Sequence, residues 1–292
     1  MNNLPTISAV LITWNRASMV CSTVARLKAC PAITQIIVVD NGSRDGTPGL
    51  VRGEHPSIEL IARPENGGIA AYADGFARAT GDLVFISDDD AWPEPDALCH
   101  AAEFLRDRAD VGMVAFNVRH PETHEGEWGA LEQGGRREDW YNGIGCGMLI
   151  RRATLAATGG YADQFFLYYN DLDLALRVLG AGEAIVFDPA WLVWHAKDPR
   201  GRDGERSIYF KARNIIWLGR MHFSGWRRWS VVANALLGAV RRSIAGGFWR
   251  AMVRGVRDGF FIAPPPCATQ AGQRPEMPGI RAFLHRHSLI PV

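Results

Sequence analysis

An α/β fold, a doubly wound and mainly parallel sheet with helices on both faces, is the class this sequence predicts. Three observations carry the prediction. Apolar runs rich in β-branched residues recur as "ISAVLITW" (7–14), "QIIVVD" (35–40), "IELIA" (58–62), "DLVFIS" (82–87) and "VGMVAFNV" (111–118). Such unbroken runs suit strands buried on both faces. Helical stretches over 16–29, near 47–53, 69–79 and 94–107 separate them, the alternation that right-handed βαβ units produce. Three strands end in polar residues: Thr13-Trp14-Asn15, Asp40-Asn41-Gly42-Ser43 and Asp88-Asp89-Asp90. In open α/β sheets ligands gather beyond the carboxyl ends of strands.

Each element has a local reason. Pro95, preceded by Glu94, marks the start of the 94–107 helix, since proline at the first helical position gives up only a donor that would be unpaired anyway. Residues 119–143 are polar and glycine-rich, a long loop of the kind that carries function. A helix over 171–180 and a strand-like "EAIVFDPAWLVWH" (183–195) follow. "KDPRGRDGER" (197–206) has the composition of a mobile loop. Helical periodicity returns from 207 to about 261, and 263–292 reads as an irregular tail.

Of the 292 residues, 47% are hydrophobic and 22% charged, an ordinary globular composition. The five cysteines form no CxxC pair and no metal spacing, as expected of reduced thiols in the cytoplasm. No signal peptide is expected from "MNNLPTISAVLITWNR", and "WSVVANALLGAV" (229–240) falls short of the roughly 20 residues a bilayer span needs. The net charge of +1 hides a division: residues 1–205 hold 18 basic against 29 acidic side chains, and 206–292 hold 14 against 2. An acidic body with a basic, tryptophan-rich extension suggests a cation-handling core beside an anion-seeking surface.

The acidic triplet is the sharpest motif. Alternating side-chain directions at a strand end can send Asp88 and Asp90 to one side, and paired hard oxygen donors suit Mg²⁺ or Mn²⁺ bridging to phosphates. A solvated helix-capping turn is the plain alternative. "RPENGGIAAYADGF" (63–76) sets Asn66, Gly67 and Gly68 before a helix, where glycine permits close approach of an anion, although a simple loop-to-helix joint has the same composition. In "FFLYYNDLDLALR" (165–177), pairing with Arg177 at i,i+4 accounts for Asp173. Asp171, set among aromatic residues, is left as a carboxylate of raised proton affinity and a candidate general base. His195 ends a strand and can be a metal ligand or a structural histidine.

In order and spacing these motifs, over roughly residues 6–220, resemble the inverting, nucleotide-sugar-dependent glycosyltransferases of the GT-A fold. That resemblance implies a GT-A catalytic domain over 1–205, with a nucleotide part at about 1–118 and an acceptor part at about 119–205. A basic aromatic-rich helical extension over 206–262 follows it. It implies a nucleotide pocket lined by Thr13, Trp14, Asn15 and Arg16, with Asp40 reading a uracil or thymine base and Asn41, Asn66, Gly67 and Gly68 nearby. Asp88 and Asp89 would meet the donor, Asp88, Asp90 and His195 would hold Mn²⁺ or Mg²⁺, and Asp171 would be the base. The acceptor side is expected from Trp140, Gly145, Cys146, Tyr169 and Asn170, within a sugar pocket shaped by 119–148 that includes Trp128. Asn170 departs from the family's usual Glu or Asp there. "VWH" followed by "YFKARN" (209–214) is most similar to the galactofuranosyl- and rhamnosyltransferase branch acting on bacterial cell-envelope glycans. A UDP- or dTDP-sugar donor and a glycan or polyprenyl-linked acceptor follow.

Two other classes share part of this pattern. A sugar-nucleotide nucleotidyltransferase would need a glycine-rich phosphate loop after strand one, and "TWNRAS" contains no glycine. A non-catalytic nucleotide-sugar-binding protein would bind without turnover. For the extension, arginine and tryptophan on amphipathic helices suit an anionic membrane surface, with packing on the catalytic body as the alternative. No nucleic-acid recognition motif is present. From the unpaired cysteines and the basic aromatic extension, the expected location is cytoplasmic, peripheral on the inner face of the membrane.

Overall fold

A computed structural model describes residues 4–127, 134–197 and 204–287. Its strands are β1 (Ile7–Thr13), β2 (Ile33–Asp40), β3 (Glu59–Ala62), β4 (Leu83–Asp88), β5 (Ala91–Pro93), β6 (Val111–Arg119), β7 (Met148–Arg151) and β8 (Ala184–His195). Among the described residues they form one sheet in the order β3-β2-β1-β4-β7-β6-β8-β5. The pairs β1–β2, β1–β4, β2–β3 and β6–β8 are parallel, whereas β7 runs against β4 and β6, and β5 runs against β8. The sheet is therefore mixed. Short β7 and three-residue β5 supply every antiparallel pair.

The helices are α1 (Ala17–Lys28), α2 (Thr47–Glu54), α3 (Ala71–Arg78), α4 (Pro95–Asp107), α5 (Arg152–Thr158), α6 (Asn170–Ala181), α7 (Gly204–His222), α8 (Gly225–Gly246), α9 (Trp249–Phe261) and α10 (Pro278–His287). Two apolar layers flank the sheet because successive strand residues face opposite sides. Val10, Val39, Val84 and Ile86 pack with α3, α6 and α7 on one side. Ala9, Leu11, Val38 and Phe85 pack with α1, α2 and α4 on the other. Helix α7 shares the first core through Ile215, Ile216 and Leu218. The tail expected to be irregular over 263–292 instead forms α10, whose Ile280, Phe283 and Leu284 at i, i+3, i+4 spacing are buried.

One loop bears most on the site. Between α5 and α6 the backbone turns through positive φ at Phe166, Tyr168 and Tyr169, a conformation that costs about 1 kcal/mol or more per non-glycine residue. Asn214 on α7 offsets that cost by donating from Nδ2 to the carbonyls of Phe165, Leu167 and Tyr168 at 3.1, 2.8 and 2.9 Å. Arg213 adds bonds to the carbonyls of Gln164 and Phe165. The loop delivers the start of α6, and with it Asp171, to the strand ends. Asn214→Ala leaves buried carbonyls unpaired, so a loss of about 1–3 kcal/mol is expected, read as a lower melting temperature. An unchanged melting temperature would show that the clamp is dispensable.

Candidate active site

Strand register assembles the acidic triplet with its partners. Ile12 pairs with Asp88 across β1–β4 and Thr13 with Asp40 across β1–β2, so the first strand's end lies between two acidic ends. Ala91 pairs with His195 across β5–β8, which carries His195 to Asp90. A cleft of about 510 Å³ opens here, within the usual range for a small-ligand site. Thr13, Trp14, Asn15, Arg16, Asn41, Asn66, Gly68, all three aspartates and His195 line it.

The three acids have separate partners. Asp89 turns inward and accepts from Thr13 Oγ1 at 2.7 Å and Arg16 at 2.9 Å. Asp90 is held by Arg16 at 2.6 Å and by His195 Nε2 at 3.2 Å. Asp88 accepts from Tyr72 Oη at 3.0 Å. Burial and the charge of Asp90 push the Asp89 carboxyl up to about 7 and also raise Asp88. Burial works against ionisation of Asp90, but His195 and Arg16 outweigh it and hold its carboxyl below the usual range. Arg16 is therefore first a counter-ion to the triplet, and Asp89, expected on the donor, is engaged by protein groups.

Glu127, which sequence reasoning missed, accepts from His195 Nδ1 at 2.7 Å and pairs with Lys197 at 3.2 Å. Burial opposes its charge, but His195 and Lys197 bring its carboxyl down to about 2. A carboxylate on the far ring nitrogen is the usual way to orient a metal-binding histidine. Asp88, Asp90 and His195 line one cleft with the hard oxygen and imidazole donor types that suit a divalent ion; the donor atoms within 4.8 Å of one another there are those of Asp88, His195 and Cys146.

Asp171 sits beside this cluster. Tyr161 Oη and Asn170 Nδ2 donate to its Oδ1 at 2.8 and 2.9 Å, and the Gly145 amide also hydrogen-bonds it. A Cβ on Gly145 would lie 3.0 Å from the same oxygen. Burial, with the charge of Asp88, raises Asp171 to about 7 against the lowering effect of Tyr161 and Gly145. Asp173, by contrast, is fully buried between Arg177 at 2.6 Å and His222 at 2.9 Å, a structural anchor with a partner beyond the expected Arg177.

The remaining expectations separate. Asp40 is buried and does not line the cleft; it accepts from the Ser43 amide at 3.1 Å, while its Oδ1 has no hydrogen-bond partner among the described residues. Asn41 instead clamps the 66–68 loop, donating to Asn66 Oδ1 and Gly68 O and accepting from Gly67 N. Gly68 has φ of 62°, and a Cβ there would meet the Phe166 carbonyl at 2.4 Å, so this loop seals against the 165–169 segment. Tyr169 precedes α6 in a left-handed conformation.

Trp140 does not reach the cleft. It is buried and stacks on Phe187 with centroids 4.4 Å apart. With Tyr141 it borders a separate, larger groove against α10, lined also by Arg137, Arg227 and Arg281. Cys146, expected on the acceptor side, is fully buried next to His195 and Asp88. Of the loop basic residues, Lys197 and Arg206 line the cleft; Arg200 and Arg202, like Trp128, lie outside the described residues.

Cleft, sheet order and carboxylate triplet together define the GT-A class of α/β proteins. The fold is like that of the mannosyltransferase PcManGT from Pyrobaculum calidifontis, solved with GDP-Man and Mn²⁺ (TM-score 0.62, 21% identity, 88% of this chain and 74% of that one). It is also like GalNAc-T7, solved with UDP, GalNAc and Mn²⁺ (TM-score 0.64, 13% identity, 91% and 60%). In sequence, residues 8–172 match the family "Glycosyl transferase family 2", and the chain belongs to that family. It is similar to the N-acetylglucosaminyl-diphospho-decaprenol L-rhamnosyltransferase of Mycobacterium tuberculosis, 24% identical over 67% of this chain and 79% of the relative. The probable glycosyltransferase YdaM of Bacillus subtilis is 28% identical over 72% of this chain and 58% of its own length.

Proposed function

We propose that the protein transfers a sugar such as rhamnose, galactofuranose or another hexose from a UDP- or dTDP-sugar to a hydroxyl of a polyprenyl-linked glycan, inverting the anomeric centre. The observation that carries this reading is the position of Asp171. A carboxylate of raised proton affinity, held by Tyr161 and the Gly145 amide, stands beside the triplet. Bound at Asp88, Asp90 and His195, Mn²⁺ or Mg²⁺ would supply Lewis-acid neutralisation of the departing diphosphate. Asp40 has a free buried acceptor for the base. Arg16 fixes the triplet, and Glu127 orients His195. Asp171 takes the acceptor hydroxyl's proton as that oxygen attacks, and Asn170, fixed against it, hydrogen-bonds the acceptor.

The acceptor class is supported by the mycobacterial relative, whose name describes a decaprenol-linked substrate. Incubation with dTDP-L-rhamnose or UDP-galactofuranose, Mn²⁺ and a polyprenyl-diphospho-N-acetylglucosamine acceptor should yield one glycosidic product of opposite anomeric configuration by NMR. Retained configuration would rule out single displacement. Donor hydrolysis alone, with every glycan acceptor refused, would rule out this acceptor class.

A lipid-linked acceptor calls for a membrane-facing surface. Among the described residues no helix is long and apolar enough to cross a membrane. Helices α8 and α9 leave Trp226, Trp229, Leu237, Trp249, Val253 and Phe261 exposed, the last at 86%, and Trp229 stacks near Phe260 at 6.1 Å. Trp217 instead packs in the core at 3% exposure. No acidic residue lies between Arg206 and Arg257, and apolar rings amid basic charge suit an anionic bilayer on the inner face of the membrane. Binding to phosphatidylglycerol vesicles but weakly to phosphatidylcholine is expected, and Phe261→Ser should weaken it about tenfold. Equal binding to both vesicle types would contradict the electrostatic part.

A further inference from the structure

Beside the His195 ring and Asp88 lies a thiol, Cys146, with no role in the mechanism so far. Antiparallel β4–β7 pairing sets Ile86 opposite Met148. Asp88 ends β4 just beyond that pair, and Cys146 lies in the turn just before β7, so the two meet at this end of the sheet. A turn fixes the thiol there, with the Gly147 amide donating to the Ile144 carbonyl at 2.8 Å and a Cβ on Gly147 barred by Val118 at 2.7 Å. One donor atom each from Asp88, Cys146 and His195 lies within 4.8 Å of the others. Metal bonds of about 2.0–2.3 Å bring ligand atoms up to about 4.5 Å apart around a single ion, so at most a few tenths of an ångström of closing is needed.

A buried free cysteine usually serves as a small hydrophobe, and Cys30 is one, its thiol directed at the carbonyls of Arg26 and Pro93. Cys146 faces an imidazole and a carboxylate instead, those of His195 and Asp88. Thiolates favour softer transition metals, whereas Mg²⁺ prefers six oxygens. We propose that Cys146 is a ligand of the divalent-ion site, adding a sulfur donor to Asp88 and His195 and selecting a transition metal over Mg²⁺. The inference rests on reading the cleft as a metal–nucleotide site. Coordination breaks the S–H bond, forms a sulfur–metal bond and releases the proton to solvent.

The test is titration of the metal-free full chain with Co²⁺, alone and with UDP, followed by near-ultraviolet absorption. Wild type should develop a sulfur-to-cobalt charge-transfer band. Cys146→Ser and Cys146→Ala should lack it while binding Co²⁺ about 10–100-fold more weakly, and Cys99→Ser should keep it. The same variants should narrow the preference for Mn²⁺ over Mg²⁺. Co²⁺ binding to wild type without the band, or a band retained in Cys146→Ser, would remove Cys146 from the metal shell and leave the rest of the site standing. No Co²⁺ binding by wild type, with or without UDP, would overturn the metal reading of the cleft as a whole.

Discussion

Asp171→Asn is expected to bind donor nearly as wild type does and to transfer sugar about 10²–10⁴-fold more slowly, the scale on which loss of a general base is felt. The substitution keeps the shape and the capacity to accept from Tyr161 and Gly145, and removes only basicity. The pH profile should identify the same group. Burial and Asp88 raise Asp171 to about 7, so below that pH it carries a proton and cannot receive one. Hence kcat/KM should rise with pH through about 7, and the variant's residual rate should lack that limb. Wild-type rates in Asp171→Asn, measured by product formation under single-turnover conditions, would remove Asp171 as the base.

Asp90→Ala should lose metal-dependent donor binding by at least about 100-fold, beyond the 10–100-fold usual for supporting residues around a metal. Two effects act together. A carboxylate donor disappears, and Arg16 and His195, held by Asp90 at 2.6 and 3.2 Å, each lose one of their carboxylate partners, which leaves the cleft more positive and less favourable to a cation. Asp90→Asn separates them, because the amide keeps the shape and a neutral oxygen. Calorimetric titration with Mn²⁺ and UDP reads both variants. Equal affinity in wild type and Asp90→Ala would mean that Asp90 only pairs Arg16 with His195.

The sequence shows the long strands and the helices between them because continuous apolar runs and helical periodicity are local signals. What it hides is short or long-range. Ala91–Pro93 is a three-residue strand with no periodicity to detect, yet it brings His195 to Asp90. Met148–Arg151 has only four residues, and the turn before it sets Cys146 beside Asp88. Trp140, expected on the acceptor side, stacks instead on Phe187, 47 residues away in sequence, a partner that only the fold reveals. Glu127 stands in a polar, glycine-rich stretch where one carboxylate resembles its neighbours. Tyr72 and Tyr161 occupy ordinary core positions, and nothing in their local sequence marks the hydroxyls that reach Asp88 and Asp171. Helix α10 was masked by the prolines before it, although Ile280, Phe283 and Leu284 already carry helical spacing.

The most direct measurement is binding and slow hydrolysis of a panel of UDP- and dTDP-sugars by the full chain, with and without Mn²⁺. The account predicts that one donor binds and is hydrolysed only when the ion is present, which would make the cleft at Asp88–Asp90 a metal-bound nucleotide-diphosphate site. Failure of every donor to bind under all metal conditions would contradict it, leaving the triplet as an acidic turn neutralised by Arg16 and His195 alone.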